Sequence, residues 1–104
     1  MNIVGVAACT AGIAHTYIAK EKLMKAAQEA GHSIFVETQG TIGTQDNLTE
    51  EQIKEADVVV IAADVKINGK NRFKGKKTIE VPTDLVIKSP NKFIKKVEEV
   101  VAPA

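Results

Sequence analysis

Cys9 is the only cysteine of the chain, and it opens the octet Cys9-Thr10-Ala11-Gly12-Ile13-Ala14-His15-Thr16. Before it runs Ile3-Val4-Gly5-Val6-Ala7-Ala8, apolar throughout, as a strand buried on both faces is. After it the pattern turns helical. A thiol between the carboxyl end of a strand and the amino end of a helix meets converging N–H groups and the positive end of the helix dipole. Such a place holds a phosphate and favours an anionic sulfur. Gly12 permits the backbone angles that a phosphate-cradling loop needs. The amides from Ala11 to Thr16 can then point inward as an anion nest. The chemistry this suggests is phosphoryl transfer at sulfur, where a rigid cradle positions the group and spreads its charge. His15 can donate to phosphoryl oxygens. Thr10 and Thr16 put hydroxyls at the two ends of the loop, and Thr16 is placed to reach the sulfur.

Each of these residues also has a plainer reading. A lone cysteine after a strand is often a small buried apolar residue. His15 at a helix start can make an ordinary hydrogen bond, and Thr16 can be a cap. The Gly, His and two Thr around Cys9 break the apolar continuity that a merely structural cysteine would share, which favours the functional reading.

The elements that must hold this loop are legible from periodicity. Asn2 to Ala8 reads as the first strand. From His15 to Ala30 the residues Thr16, Ala19, Leu23, Ala26, Ala27 and Ala30 recur three or four apart, a helix stripe, and Gly31 suits the position after its end. Ser33 to Glu37 reads as a second strand and Thr38 to Asn47 as a loop. Thr49 and Gln52 form a capping box for a short helix ending near Ala56. Asp57 to Ala62 is a third buried strand. Asp64 to Lys77 is a polar loop with room for a helical turn, and Thr78 to Val81 is a fourth strand ended by Pro82. Ser89-Pro90 opens a last helix that buries Phe93, Ile94, Val97, Val100 and Val101.

Strands alternating with helices in this order imply right-handed crossovers and a parallel sheet covered on both faces. The expected fold is a three-layer α/β/α sandwich, Rossmann-like, with a four-stranded parallel sheet in the order 2-1-3-4. In such sheets ligands bind at the carboxyl ends of strands, where Cys9 falls. Gln39 after the second strand and Asp64 after the third reach the same edge, as site neighbours or as turn hydrogen bonders. Arg72 meets a phosphate or an acidic partner, or is simply solvated. Lys70, Lys74, Lys76 and Lys77 form a basic segment that is a partner footprint or plain surface.

Composition narrows the classes. The chain has 104 residues, enough for one domain spanning 1–104, with 44% hydrophobic and 26% charged residues. Its 14 basic and 13 acidic residues give a formal net charge of +1, no electrostatic footprint for nucleic acid. One cysteine makes no internal disulfide, which fits a reducing cytoplasm. No apolar stretch approaches the roughly 20 residues of a membrane span, and no signal peptide opens the chain. The expectation is a cytoplasmic protein that reaches a membrane only through a partner. It calls for no metal and no organic cofactor.

Cysteine, five residues, then one side chain followed by Ser or Thr is also the spacing of tyrosine phosphatase loops. Those carry Arg where this chain has His15, and the fork of Arg is what grips a phosphate dianion there. They also need a general acid Asp, for which Asp64 and Asp84 are loose candidates. A low-molecular-weight-type cysteine phosphatase is therefore the alternative, and a regulatory phosphocysteine module a further one.

The closer resemblance is to the cytoplasmic B domain (IIB) of the fructose-type branch of the bacterial phosphoenolpyruvate-dependent sugar phosphotransferase system. It rests on the Cys9 octet and on Glu37-Thr38-Gln39-Gly40, Asn47-Leu48-Thr49, Ala56-Asp57, Ala63-Asp64, Arg72-Phe73 and Gly75-Lys76, nearly end to end. The resemblance implies that Cys9 takes phosphate from a histidine of a IIA partner and passes it to a sugar held by a membrane IIC partner. The sugar it implies by default is fructose, and the 104-residue length implies IIA and IIC on separate chains. The family loop usually reads Cys-Pro-Thr-Gly, where this chain has Cys9-Thr10-Ala11-Gly12. A hydroxyl at position 11 is thus lost, which leaves the amides to hold the phosphate. Losing the proline frees one N–H.

Overall fold

A computed structural model describes residues 1–9, 13–40, 43–45 and 47–101, without the side chains at 13–15, 43 and 45. Its elements are β1 (Asn2–Ala8), α1 (Ile13–Glu29), β2 (Ser33–Gly40), β3 (Gly43–Gln45), α2 (Glu50–Glu55), β4 (Val58–Ala63), a 3₁₀ turn (Lys70–Phe73), β5 (Thr78–Val81), α3 (Thr83–Lys88) and α4 (Pro90–Val101). The strands lie in the order β3-β2-β1-β4-β5. β1 is central and pairs in parallel with β2 and β4, and β4 pairs in parallel with β5. The four parallel strands thus follow the expected 2-1-3-4 order.

A fifth strand corrects the sequence reading. β2 runs on to Gly40, and β3 pairs antiparallel with its end through Thr38↔Gln45, Gln39↔Thr44 and Gly40↔Gly43. This stretch reads as loop in the sequence because it carries Gly40, Gly43, Asp46 and Asn47. Pairing at a sheet edge needs only backbone groups. A second correction is α3, in a segment with no expected element. Its run Leu85-Val86-Ile87 lacks helical spacing, and its cap comes from Asp64, just past the end of β4.

Alternation along β1 divides the core in two. Ile3 and Ala7 face α1, α3 and α4, packing with Leu23, Val86, Phe93, Ile94 and Val97. Val4, Val6 and Ala8 face α2 and the 3₁₀ turn, packing with Leu48, Ile53, Ile67 and Phe73. Gly5 lies on the first face, where an added Cβ would stand 3.2 Å from the Val60 carbonyl oxygen and 3.4 Å from a Leu23 methyl. Glycine there lets α1 press onto the sheet.

The helix ends follow local chemistry. Thr49 and Gln52 form the expected capping box of α2. After α1, Gly31 takes φ +85°, with Gly31 N–H donating to the Gln28 carbonyl and His32 N–H to the Ala27 carbonyl. That is a Schellman ending. At the far end of the chain Val100 is exposed, against expectation, and of the last two valines only Val101 packs on the core. The final turn of α4 lies beside Lys77, whose Nζ donates to the Val100 carbonyl 3.0 Å away. Lys77 precedes β5, so little sheet is there to cover that turn.

Candidate active site

Cys9 follows the last residue of β1, at the carboxyl edge of the sheet. Asp64 N–H donates to the Ala8 carbonyl at 3.0 Å, tying this strand end to that of β4. Continuing the alternation, the Cys9 side chain points to the face that carries α1. There its Sγ lies 3.2 Å from Thr16 Oγ1. Both side chains are buried, Cys9 at 5% and Thr16 at 1% exposure. Thr16 belongs to the first turn of α1, so the helix brings its hydroxyl and the positive end of its dipole to the sulfur. Thr10, Ala11 and Gly12 lie outside the described residues, as do the side chains of Ile13, Ala14 and His15. Backbone at 13–15 forms the start of α1.

Asp64 shares the α1 face with Cys9, one strand over. Its carboxylate accepts from Thr83 N–H at 3.0 Å and from Thr83 Oγ1 at 2.6 Å. The N-cap of α3 is Pro82, which has no side chain able to cap, so Asp64 does that work across the sheet edge. Asp64→Ala removes the acceptor for a fully buried threonine. We expect it to cost about 2 kcal/mol, combining a lost cap with an unpaired buried donor. Urea unfolding checks this, with Asp64→Asn expected to lose less.

Gln39 and Arg72 come together, but on the other face. Their hub is Glu37, a carboxylate only 1% exposed in mid-strand. Arg72 Nη1 and Nη2 donate to its two oxygens at 2.7 and 2.6 Å, a bidentate pair. Gln39 Nε2 donates to Glu37 at 2.8 Å and to the Asn68 carbonyl at 2.9 Å, while Asn68 N–H donates to Gln39 Oε1. Leu48 N–H donates to Glu37 at 3.0 Å. Burial pushes the Glu37 carboxyl up, but the hydrogen bonds from Arg72, Gln39 and Leu48 outweigh it and hold it below the usual carboxylate range. The Arg72 guanidinium also lies 4.7 Å over the Phe73 ring. This knot pins the loops before α2 and before the 3₁₀ turn to β2. Sequence reading missed Glu37 as its centre. The available signal was an acidic residue directly after Ile34-Phe35-Val36, within reach of strand pairing.

The basic segment is largely tied down. Lys76 Nζ donates to the Lys54 and Ala56 carbonyls at the end of α2, and Lys77 reaches the end of α4. These are lysines satisfying helix carboxyl ends. Lys70 pairs with Glu80 at 2.7 Å in the open, where such pairs contribute little.

Comparison with known proteins places this arrangement among similar ones. Residues 4–96 match the family model described as "PTS system, Lactose/Cellobiose specific IIB subunit". The chain is 39% identical over 97 residues to the PTS system fructose-like EIIB component 2 of Escherichia coli, covering 93% of this chain and 92% of that protein. It is 45% identical over 87 residues to the PTS system fructose-specific EIIB'BC component of Vibrio cholerae. That match covers 84% of this chain but only 15% of the relative's length. Among solved structures, the Enzyme IIB subunit of an Escherichia coli PTS system superposes with a TM-score of 0.90 at 34% identity, covering 96% of this chain and 93% of that one. A domain of the fructose-specific IIABC component of Borrelia burgdorferi gives 0.87 at 47% identity, covering 98% and 95%.

Proposed function

Because the chain belongs to the fructose-type IIB family of the bacterial sugar phosphotransferase system, we propose that Cys9 is its phosphoryl carrier. Cys9 takes a phosphoryl group from a phosphohistidine of a IIA partner. As the N–P bond breaks and the S–P bond forms, the thiol proton ends on the departing imidazole nitrogen. The group then passes to a sugar, by resemblance fructose, held by a membrane IIC partner. Residues 1–104 act in this as a single IIB domain. The relatives named EIIB'BC join B and C components in one chain, which supports IIC as the acceptor side. No helix among the described residues is long and apolar enough to cross a membrane. The chain meets the inner membrane from the cytoplasm, through IIC.

The observation that carries this reading is the buried Cys9 sulfur at the edge of the central strand, with the Thr16 hydroxyl at 3.2 Å and the start of α1 beside it. The backbone of residues 10–16 is assigned the phosphate, with His15 as a donor to its oxygens. Position 15 lacks the arginine fork of a phosphatase loop, and the Arg72 fork is already occupied by Glu37 on the opposite face. That favours a persistent phosphocysteine over rapid hydrolysis. The test is reconstitution with phosphorylated IIA and IIC-bearing membranes against a panel of sugars. The expected result is one acid-stable, iodine-labile phosphate per chain, discharged as a sugar phosphate. Steady aryl phosphate turnover without a sugar product would instead support the phosphatase.

A further inference from the structure

We propose that Asn68-Gly69 is a site of self-modification, where the chain closes a cyclic imide, and that the side-chain amide of Gln39 holds this reaction back. Asn68 is the one asparagine followed by glycine; the other four precede Ile3, Leu48, Arg72 and Lys92. Both residues of the pair are exposed, and glycine brings no side chain to crowd its own backbone nitrogen. Gly69 takes φ +75°, and an added Cβ there would stand 3.2 Å from Arg72 Nε. The fold therefore keeps a glycine at this place.

The first step is a substitution at Asn68 Cγ. The Gly69 nitrogen loses its proton and bonds to Cγ, the bond from Cγ to the amide nitrogen breaks, and ammonia leaves with the proton. Water then opens the ring. Attack at Cγ leaves aspartate at position 68 with the backbone unchanged. Attack at the main-chain carbonyl leaves isoaspartate, whose backbone runs on through Cβ and is one carbon longer. Gln39 opposes the closure. Asn68 N–H donates to Gln39 Oε1 at 2.8 Å, and Gln39 Nε2 donates to the Asn68 carbonyl at 2.9 Å. This clasp pins the peptide groups on both sides of the Asn68 Cα, whereas closure needs the second of them to turn toward Cγ. Isoaspartate defeats the clasp. Its N–H and former carbonyl can stay on Gln39 only if the chain leaves through Cβ, away from the present position of Gly69. Gln39 Nε2 also donates to Glu37 at 2.8 Å, and Gly69 leads into the turn that carries Arg72. The damage therefore spreads to the Arg72–Glu37 pair.

The experiment ages the purified chain in warm, mildly alkaline buffer. Peptide mapping reads the exchange of –NH2 for –OH, and enzymatic carboxyl methylation reads isoaspartate. Position 68 should convert while the other four asparagines stay intact. Gln39→Leu should speed conversion by roughly tenfold, the change in local opening expected from one buried hydrogen bond. Val97→Ala destabilises the chain in the core under α4 and should leave the rate near the original, which separates the clasp from general unfolding. The isoaspartate fraction should melt roughly 5 °C or more below the fresh chain. Asn68→Ser keeps the clasp, which uses only backbone at position 68, and should hold its melt when aged alongside. Conversion no faster at position 68 than at the other asparagines overturns the site. A Gln39→Leu rate equal to the original, or matched by Val97→Ala, overturns the role of Gln39. An isoaspartate fraction that melts with the fresh chain, or an aged Asn68→Ser chain that falls as far, overturns the link to the Arg72–Glu37 pair.

Discussion

Cys9→Ser is expected to end phosphate acceptance from phosphorylated IIA while leaving the fold intact. The serine hydroxyl is a far weaker nucleophile than a thiolate. Removing a nucleophile lowers rates by roughly 10³ or more. The structural cost should be small. Serine is a near isostere, position 9 is buried beside a hydroxyl that can pair with it, and β1 is held by both neighbouring strands whatever follows Ala8. A change in stability within about 1 kcal/mol is expected from one exchanged polar contact. Phosphate labelling and thermal melting of the same preparation check the two halves together. Labelling that persists at the original level would move the carrier to another residue, and a collapsed melt would make Cys9 structural.

The sheet could be read from sequence wherever burial is apolar, and it could not be read where burial is polar. Val58-Val59-Val60-Ile61 and the first strand announce themselves because both faces are covered. β2 loses its signal past Glu37, although Glu37, Thr38 and Gln39 are as buried as their neighbours; Glu37 and Gln39 are held by hydrogen bonds from other parts of the chain. α3 is hidden for a related reason, since its cap, Asp64, lies 19 positions before Thr83. The same limit applied to the site. Cys9 and Thr16 sit on one local strand–helix turn, so their spacing was informative. Gln39 was expected at the carboxyl edge, but which face it occupies depends on parity along β2, which was assigned only as far as Glu37, and nothing local to Arg72 ties it to that strand. The face matters for function. The charged knot and the sulfur share one sheet edge from opposite sides, so the knot can shape the loops around the site without touching the phosphate.

Arg72→Met should therefore damage stability far more than chemistry. It leaves the Glu37 carboxylate, 1% exposed, without its counterion, and uncompensated buried charges cost about 3–5 kcal/mol. The lower end is the expectation, because Gln39 and Leu48 still donate to Glu37 and Arg72 itself is 26% exposed. Against the roughly 5–15 kcal/mol that hold a domain together, that is a large share, and the melting point should fall by more than about 10 °C. Glu37→Gln added to Arg72→Met removes the stranded charge and should recover much of the loss. Acid distinguishes the two chains. In the original chain the Glu37 carboxyl titrates below its ordinary value, so its contribution is full above the unfolded carboxyl value, near 4.3, and fades as pH falls through the folded one. In Arg72→Met both lowering influences of Arg72 are gone while burial still raises the carboxyl, so it is expected to titrate higher than in the original chain. The gap between the two chains should then narrow from pH 7 toward pH 4. Urea unfolding across that range tests both. A variant within about 1 kcal/mol of the original at pH 7 would mean the pair contributes little net stability, as buried pairs sometimes do. Phosphate acceptance per folded molecule should be close to the original in either case, because the Arg72 fork lies on the face away from Cys9. A loss of transfer without a loss of stability would instead put Arg72 in the reaction.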